Sequence, residues 1–186
     1  MQPITEIIKP LGLSSDDLIP YGKFKAKIPL SNFSNPTKKG KLIVVTGITP
    51  TPAGEGKTTT AIGITQGMGL LGKNVIATLR EPSLGPIFGI KGGGSGGGLS
   101  KVEPEDEINI HFTGDAHAVG SAHNLLSALT DNIAQRGKLE DFSPSGITWR
   151  RVTDVEDRAL RDIMTGIGGK NNAPIRQTGF DIVTAS

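Results

Sequence analysis

The stretch ITPTPAGEGKTTT, residues 48–60, sets Gly54, Glu55, Gly56, Lys57 and Thr58 between two segments of different period. Before it, Leu42-Ile43-Val44-Val45 is an unbroken apolar run bounded by Lys41 and Gly47, the pattern of a strand buried in a parallel sheet. After it, Ile64, Met68 and Leu71 recur at helical spacing and Gly72 follows, so the sequence predicts a helix over residues 57–71 packed on that face. A buried strand, a glycine loop ending in Lys-Thr and a helix together are what a phosphate-binding loop requires. Backbone N–H groups cradle the phosphate oxygens, the lysine reaches the outer phosphates and the hydroxyl holds Mg²⁺. The usual pattern has a glycine five residues before Gly56, where this chain has Thr51 between Pro50 and Pro52. Two fixed φ angles lower the entropy of ordering the loop, so proline supplies rigidity and Thr51 needs only ordinary φ. The candidate nucleotide-binding residues are Thr51, Pro52, Ala53, Gly54, Glu55, Gly56, Lys57, Thr58 and Thr59, with Thr58 also a candidate metal ligand. The competing reading is a glycine-rich connection in an ordinary α/β domain.

Residues 75–79 read as a second strand, completing a β-α-β unit, and Arg80 stands at its carboxyl end, where open α/β sheets bind ligands. A structural arginine pairing Glu81 is the alternative. Eight of the 26 glycines fall between Gly85 and Gly98. Such clustering points to backbone fitted closely to a ligand or another segment, and Gly92, Gly93, Gly96 and Gly97 are candidates for an anion pocket. A flexible linker is the other reading of that composition. Residues 108–112, INIHF, alternate like a strand that ends at Thr113-Gly114-Asp115, so Asp115 is either a water-bridged Mg²⁺ ligand or a turn and cap residue. His111, His117 and His123 are spaced by six, which does not stack imidazoles on one helix face and argues against a metal site.

The remaining segments frame this core. Ile4, Ile7, Ile8 and Leu11 predict a short amphipathic helix, Ser15 a cap for the next turn, and Lys23, Lys25 and Lys27 one face of an extended stretch, either solvated or contributing to an anion site. The turn-rich residues 31–40 mark a boundary, giving an N-terminal helical and extended segment, 1–40, and a nucleotide-binding domain, 41–186. Residues 118–134 predict a helix carrying Leu125, Leu126 and Leu129 and ended by Gly137. Thr153 and Glu156 match a capping box before a helix that buries Leu160, Ile163 and Met164. FDIVTAS predicts a last strand. The expected fold class is α/β, P-loop NTPase-like, with a mostly parallel sheet and flanking helices. The 20 basic and 18 acidic residues nearly balance, giving no support to a nucleic-acid or membrane partner, and the absence of cysteine excludes disulfides and thiolate-bound zinc. With no signal-peptide pattern and no apolar run of ~20 residues, a cytoplasmic protein is expected.

In order, TPAGEGKTTT, LREPSLGP, FGIKGG with GGG, INIHFTGDAHAV, AHNLL, ITWRRV and TGFDIVTAS resemble the N-terminal part of formate–tetrahydrofolate ligases (formyltetrahydrofolate synthetases). The likeness runs from about Tyr21 to Ser186, and Thr51-Pro52 matches the family's own loop. The family's glycine loop usually carries two alanines and a terminal tyrosine, where this chain has Gly94-Ser95 and Leu99. Family chains also continue far beyond FDIVTAS, with most of the folate site in the later parts, so the resemblance implies a fragment or one piece of a split enzyme. It implies ATP with Mg²⁺, and formate and tetrahydrofolate as substrates joined through formyl phosphate. Lys57 and Arg80 become the catalytic candidates: Lys57 bridges the outer phosphates, Arg80 holds formate or formyl phosphate, and the glycine backbone lines the same pocket. The implied partners are the rest of the ligase chain or a second subunit, and a homo-oligomer. A P-loop ATP-binding module without ligase chemistry and an inactive fragment retaining part of the nucleotide site are the alternatives; the first gives no reason for LREPSLGP together with the glycine loop.

Overall fold

The computed structural model describes residues 1–34, 40–49, 51, 54–80, 94–137, 139–155 and 157–185. The expectations resting on Pro50, Pro52, Ala53, Glu81, Gly92, Gly93 and Glu156 lie outside them. At the N-terminus α1 (Ile4–Ile7) continues into a 3-10 turn that Gly12 ends with φ of 75°. Ile8 is the residue this segment buries. Ser14, one residue earlier than expected, caps the next turn: its N–H and hydroxyl both donate to the Asp17 carboxylate, at 2.8 and 2.9 Å. β1 (Ile19–Pro20) and β2 (Ala26–Lys27) then form an antiparallel hairpin. A tight turn between them breaks the alternation expected of the three lysines. Lys25 is drawn inward instead, with its ammonium 5.0 and 5.2 Å from the ring centres of Tyr21 and Phe112 and paired to Glu107.

The helix expected after the glycine loop is α2 (Lys57–Leu70), and Gly72 follows it in the left-handed conformation. Its contact face differs from the predicted one. Ile62 is buried, whereas Ile64 and Leu71 are exposed. The cause is the partner, because α2 packs on the antiparallel hairpin of β3 (Gly96–Gly97) and β4 (Ser100–Lys101). Gly63 lies on that face: a Cβ there would come within 3.1 Å of Ser100 Oγ, a close approach that the serine side chain would have to yield to.

The flanking segments 41–47 and 73–80 are not part of any ladder among the described residues. Leu42, Ile43 and Val44 are 82%, 58% and 71% exposed. An apolar strand of this kind is buried only when neighbours cover both its edges and faces, and no described residue pairs with it. Among the described residues the expected parallel sheet around the loop is therefore not assembled. The described residues form four two-stranded sheets; β5 (Arg151–Thr153) and β8 (Phe180–Ile182) run parallel, while β6 (Ile163–Thr165) and β7 (Arg176–Thr178) are antiparallel.

Residues 105–110 form α3 (Glu105–Ile110), where a strand was expected from residue 108. Three acidic residues, Glu105, Asp106 and Glu107, occupy its first turn and favour the positive end of a helix dipole. The helix expected over 118–134 is α4 (Asp115–Arg136), ended by Gly137 with φ of 58°. It buries Ala116, Ser127 and Asp131 and leaves Leu125, Leu126 and Leu129 exposed. Among the described residues the helix expected after Thr153 does not form. Asp157 instead accepts the Ala159 N–H at 2.9 Å and closes a single 3-10 turn containing Leu160, after which Ile163 and Met164 enter β6. The last segment is a strand as expected, β8, and Val183 beyond it joins Ala116 and Val152 in a small apolar core. The architecture is mixed α/β, and no described helix is long and apolar enough to cross a membrane.

Candidate functional site

Two left-handed glycines turn the backbone into α2. Gly54 has φ of 80°, and Gly56, the N-cap, has φ of 69°. A side chain at either position would be strained, so the sequence Gly-Glu-Gly is a conformational requirement there. Between them Glu55 accepts hydrogen bonds from the Thr51 backbone N–H and from Lys57 Nζ. These two donors hold its carboxyl at about 2, well below the usual 4.5, with the lysine making the larger contribution. Lys57 is the first residue of α2 and folds back over the loop, where a Cβ built on Gly47 would come within 3.5 Å of its Nζ and 3.4 Å of Glu55 Cγ. Those are ordinary contact distances, so Gly47 lies directly against the pair. Thr58 follows at the second position of the helix and is half-buried, with Thr59 exposed beside it.

The glycine hairpin lies against the same helix. A Cβ on Gly97 would be 3.9 Å from Thr59 Oγ1, and one on Gly96 would meet Ser100 O at 2.0 Å and Ile62 Cδ1 at 2.8 Å. Gly96 has φ of 103°, so only glycine fits there. A polar clamp from α3 fixes the hairpin's entry. Buried Ser95 donates its N–H to Asn109 Oδ1 at 3.2 Å and receives Asn109 Nδ2 at 3.0 Å, and its hydroxyl is 3.4 Å from Glu105 Oε1.

Arg80 sits across from α4. Its Nε is 2.5 Å from Asp115 Oδ2, and its Nη1 is 3.5 Å from the Thr184 carbonyl. Asp115 opens α4, where the helix dipole favours a carboxylate. Arg80 and Asp115 line a largely apolar cavity of about 630 Å³ together with Lys25, Leu79, Gly94 and Phe112. Of the sequence-derived candidates, Lys57, Thr58 and Thr59 open α2, and the hairpin packs on the same helix with Gly97 beside Thr59 and Gly96 against Ile62. Arg80 and Asp115 meet in a separate pair. Among the described residues no cluster of three His, Asp or Glu side chains has metal-binding geometry. A single hydroxyl from Thr58 is still donor enough for an ion held mainly by phosphate oxygens and water.

Three roles were missed in the sequence. Glu55 was named as a nucleotide-binding candidate but its pairing with Lys57 was not, although the Glu-x-Lys spacing already puts the two charges within reach. The Arg80–Asp115 pair joins residues 35 apart in sequence, and Lys25 reaches the cavity only because the hairpin turns between Tyr21 and Ala26; neither leaves a local signal.

Fold and sequence together define a mixed α/β chain with one glycine-lysine loop at the start of a helix. A profile of the formate–tetrahydrofolate ligase family matches residues 1–186. Formate–tetrahydrofolate ligases of Desulforamulus reducens, Bartonella tribocorum and Syntrophus aciditrophicus are 56%, 55% and 53% identical to it. Each comparison covers 100% of this chain but only 33%, 34% and 33% of the relative, so the chain spans about a third of their length. The chain belongs to the formate–tetrahydrofolate ligase family.

Proposed function

We propose that this chain carries the ATP- and formate-handling part of a formate–tetrahydrofolate ligase. The observation that supports this most is the loop of Gly54, Glu55, Gly56 and Lys57, turned by two left-handed glycines into the N-terminus of α2 with the glycine hairpin packed on the same helix. In the reaction a formate oxygen attacks the γ-phosphorus of ATP and ADP leaves. N10 of tetrahydrofolate then attacks the formyl carbon, phosphate leaves and N10 gives up its proton. The first step brings two anions together, which at 4 Å costs roughly 1 kcal/mol in water and about 4 at an effective dielectric of 20. Lys57 is assigned to the outer phosphates and Arg80 to formate and the formyl phosphate formed from it, so that positioning and charge neutralisation carry the step. Mg²⁺, held through the Thr58 hydroxyl with Asp115 a water-bridged candidate, would supply further neutralisation of phosphate charge. The backbone of Gly92, Gly93, Gly96 and Gly97 is assigned to the same anion pocket.

The exposed apolar rows at 42–45 and 75–79 favour a further reading, that both are central strands of a parallel, P-loop NTPase-like sheet completed by the remainder of the ligase. Residues 1–40 are then an N-terminal segment joined to the nucleotide-binding domain, 41–186, through Lys25 and Glu107. The folate site, the rest of the chain or a second subunit, and homo-oligomer contacts belong to the same proposal. The chain's share of its relatives' length, 33%, favours one second reading: a nucleotide-binding piece without complete ligase chemistry. Formate-dependent ADP release with hydroxylamine trapping of the acyl phosphate separates the two. Trapped formyl hydroxamate supports formate activation. ADP release indifferent to formate, or binding without turnover, supports the second reading.

A further inference from the structure

Among the described residues, Asp131, on the buried face of α4, is the single carboxylate between two arginines. Its Oδ2 accepts from Arg151 Nη2 at 2.8 Å, and its Oδ1 accepts from Arg176 Nε at 3.0 Å. Arg176 Nη2 also lies 3.0 Å from Oδ1, but without hydrogen-bond alignment. The cluster therefore holds two guanidiniums against one carboxylate, an excess of one positive charge. Arg176 is 4% exposed at its side chain and Arg151 22%. Among the described residues, Arg151 Nη1 and Arg176 Nη1 are shut off from solvent and find no acceptor. Asp181, on the strand paired with β5, pairs with Arg150 at 3.1 Å.

A structural staple joining α4 to β5 and β7 needs only one guanidinium per carboxylate. A second guanidinium, enclosed with donors unmatched, is costly unless another anion takes them. We propose that the Arg151–Asp131–Arg176 cluster is an oxyanion-binding site, completed by a carboxylate or phosphate group that accepts from Arg151 Nη1 and Arg176 Nη1. The rigid guanidinium fork suits a group with two or more oxygens and discriminates against a spherical halide. The anion enters on the side of Arg151, whose side chain keeps contact with solvent. The site is built from α4, β5 and β7 and uses none of the residues of the glycine loop.

Thermal unfolding tests this, with inorganic phosphate or acetate replacing chloride at constant ionic strength. A Lys57→Ala background removes phosphate binding by the glycine loop. Either oxyanion at saturation is expected to raise the midpoint by roughly 2–4 °C relative to chloride, the shift that modest binding gives a domain of this size. A response to phosphate alone identifies a tetrahedral ligand; a response to acetate identifies a carboxylate. Arg151→Gln in the same background is expected to abolish the rise, and Arg151→Lys, which keeps the charge but loses the fork, to retain less than half of it. A rise that survives Arg151→Gln undiminished is a general salt effect and overturns the proposal, as does an absence of any rise over chloride.

Discussion

The ammonium of Lys57 is paired with the carboxylate of Glu55 across one intervening residue, Gly56, whose left-handed backbone brings the two side chains to the same side of the loop. The lysine assigned to the outer phosphates is thus held by an anion that a nucleotide must displace. Replacing Glu55 by glutamine removes that competitor while keeping an acceptor for the Thr51 N–H. Removing that exposed competing charge should tighten ATP binding by a small factor. Titration calorimetry reads this directly, and weaker binding by Glu55→Gln would show that the carboxylate organises the loop for the ligand.

The same pair makes a pH signature. The Glu55 carboxyl titrates at about 2 in the folded chain against an ordinary 4.5. Because the folded value is depressed, its contribution to stability is fully present above about pH 4.5 and is lost as pH falls through about 2. The difference in thermal midpoint between the parent and Glu55→Gln should stay level from neutral pH to that upper value and shrink below it. A difference that is level down to the lower value would disprove the assignment.

Lys57→Ala should weaken ATP binding by roughly 10- to 100-fold, since a charged hydrogen bond contributes about 1.5–3 kcal/mol. Unchanged affinity would remove Lys57 from the phosphate site.

Arg80→Ala should leave ATP binding within about twofold, less than 0.5 kcal/mol, and abolish the dependence of ADP release on formate. Hydroxamate trapping checks the outcome, and normal formyl phosphate production by the variant would exclude Arg80 from the formate site.

Gly96→Ala tests the hairpin. Its φ of 103° and the approach of Ser100 O to 2.0 Å of a built Cβ leave no unstrained place for a methyl group. A loss of about 1–3 kcal/mol in urea unfolding is expected from backbone strain alone, whereas Gly67→Ala, with nothing within 4 Å, should be neutral or stabilising.

What the sequence made legible was local. The helix after the glycine loop and the long helix ended by Gly137 follow from period and left-handed glycines within a few residues of each other. Where the reading failed, a nearby charge or cap overrode the apolar pattern: three acidic residues turned 105–110 into helix, and Asp157 closed a short turn ahead of Ile163. Alternation alone could not foresee that Lys25 turns inward between two rings, because Phe112 is 87 residues further along the chain and its approach is a tertiary event. The loop's residue types were readable for the same reason as the helices, since Gly54 to Thr58 are contiguous. Arg80 with Asp115 and Asp131 with its two arginines join distant segments and leave no short-range trace.

The bare apolar row at 42–45 has a consequence for handling the polypeptide. Three of its residues face water and no described strand pairs with it, the segment contains β-branched side chains and no proline, and the whole chain carries a net charge of only +2. Such a segment recruits a like one by edge-to-edge pairing, and weak colloidal repulsion does little to oppose it. Solubility of the isolated polypeptide is therefore governed by this short stretch, and a single lysine in place of Ile43 should raise the concentration at which it begins to precipitate.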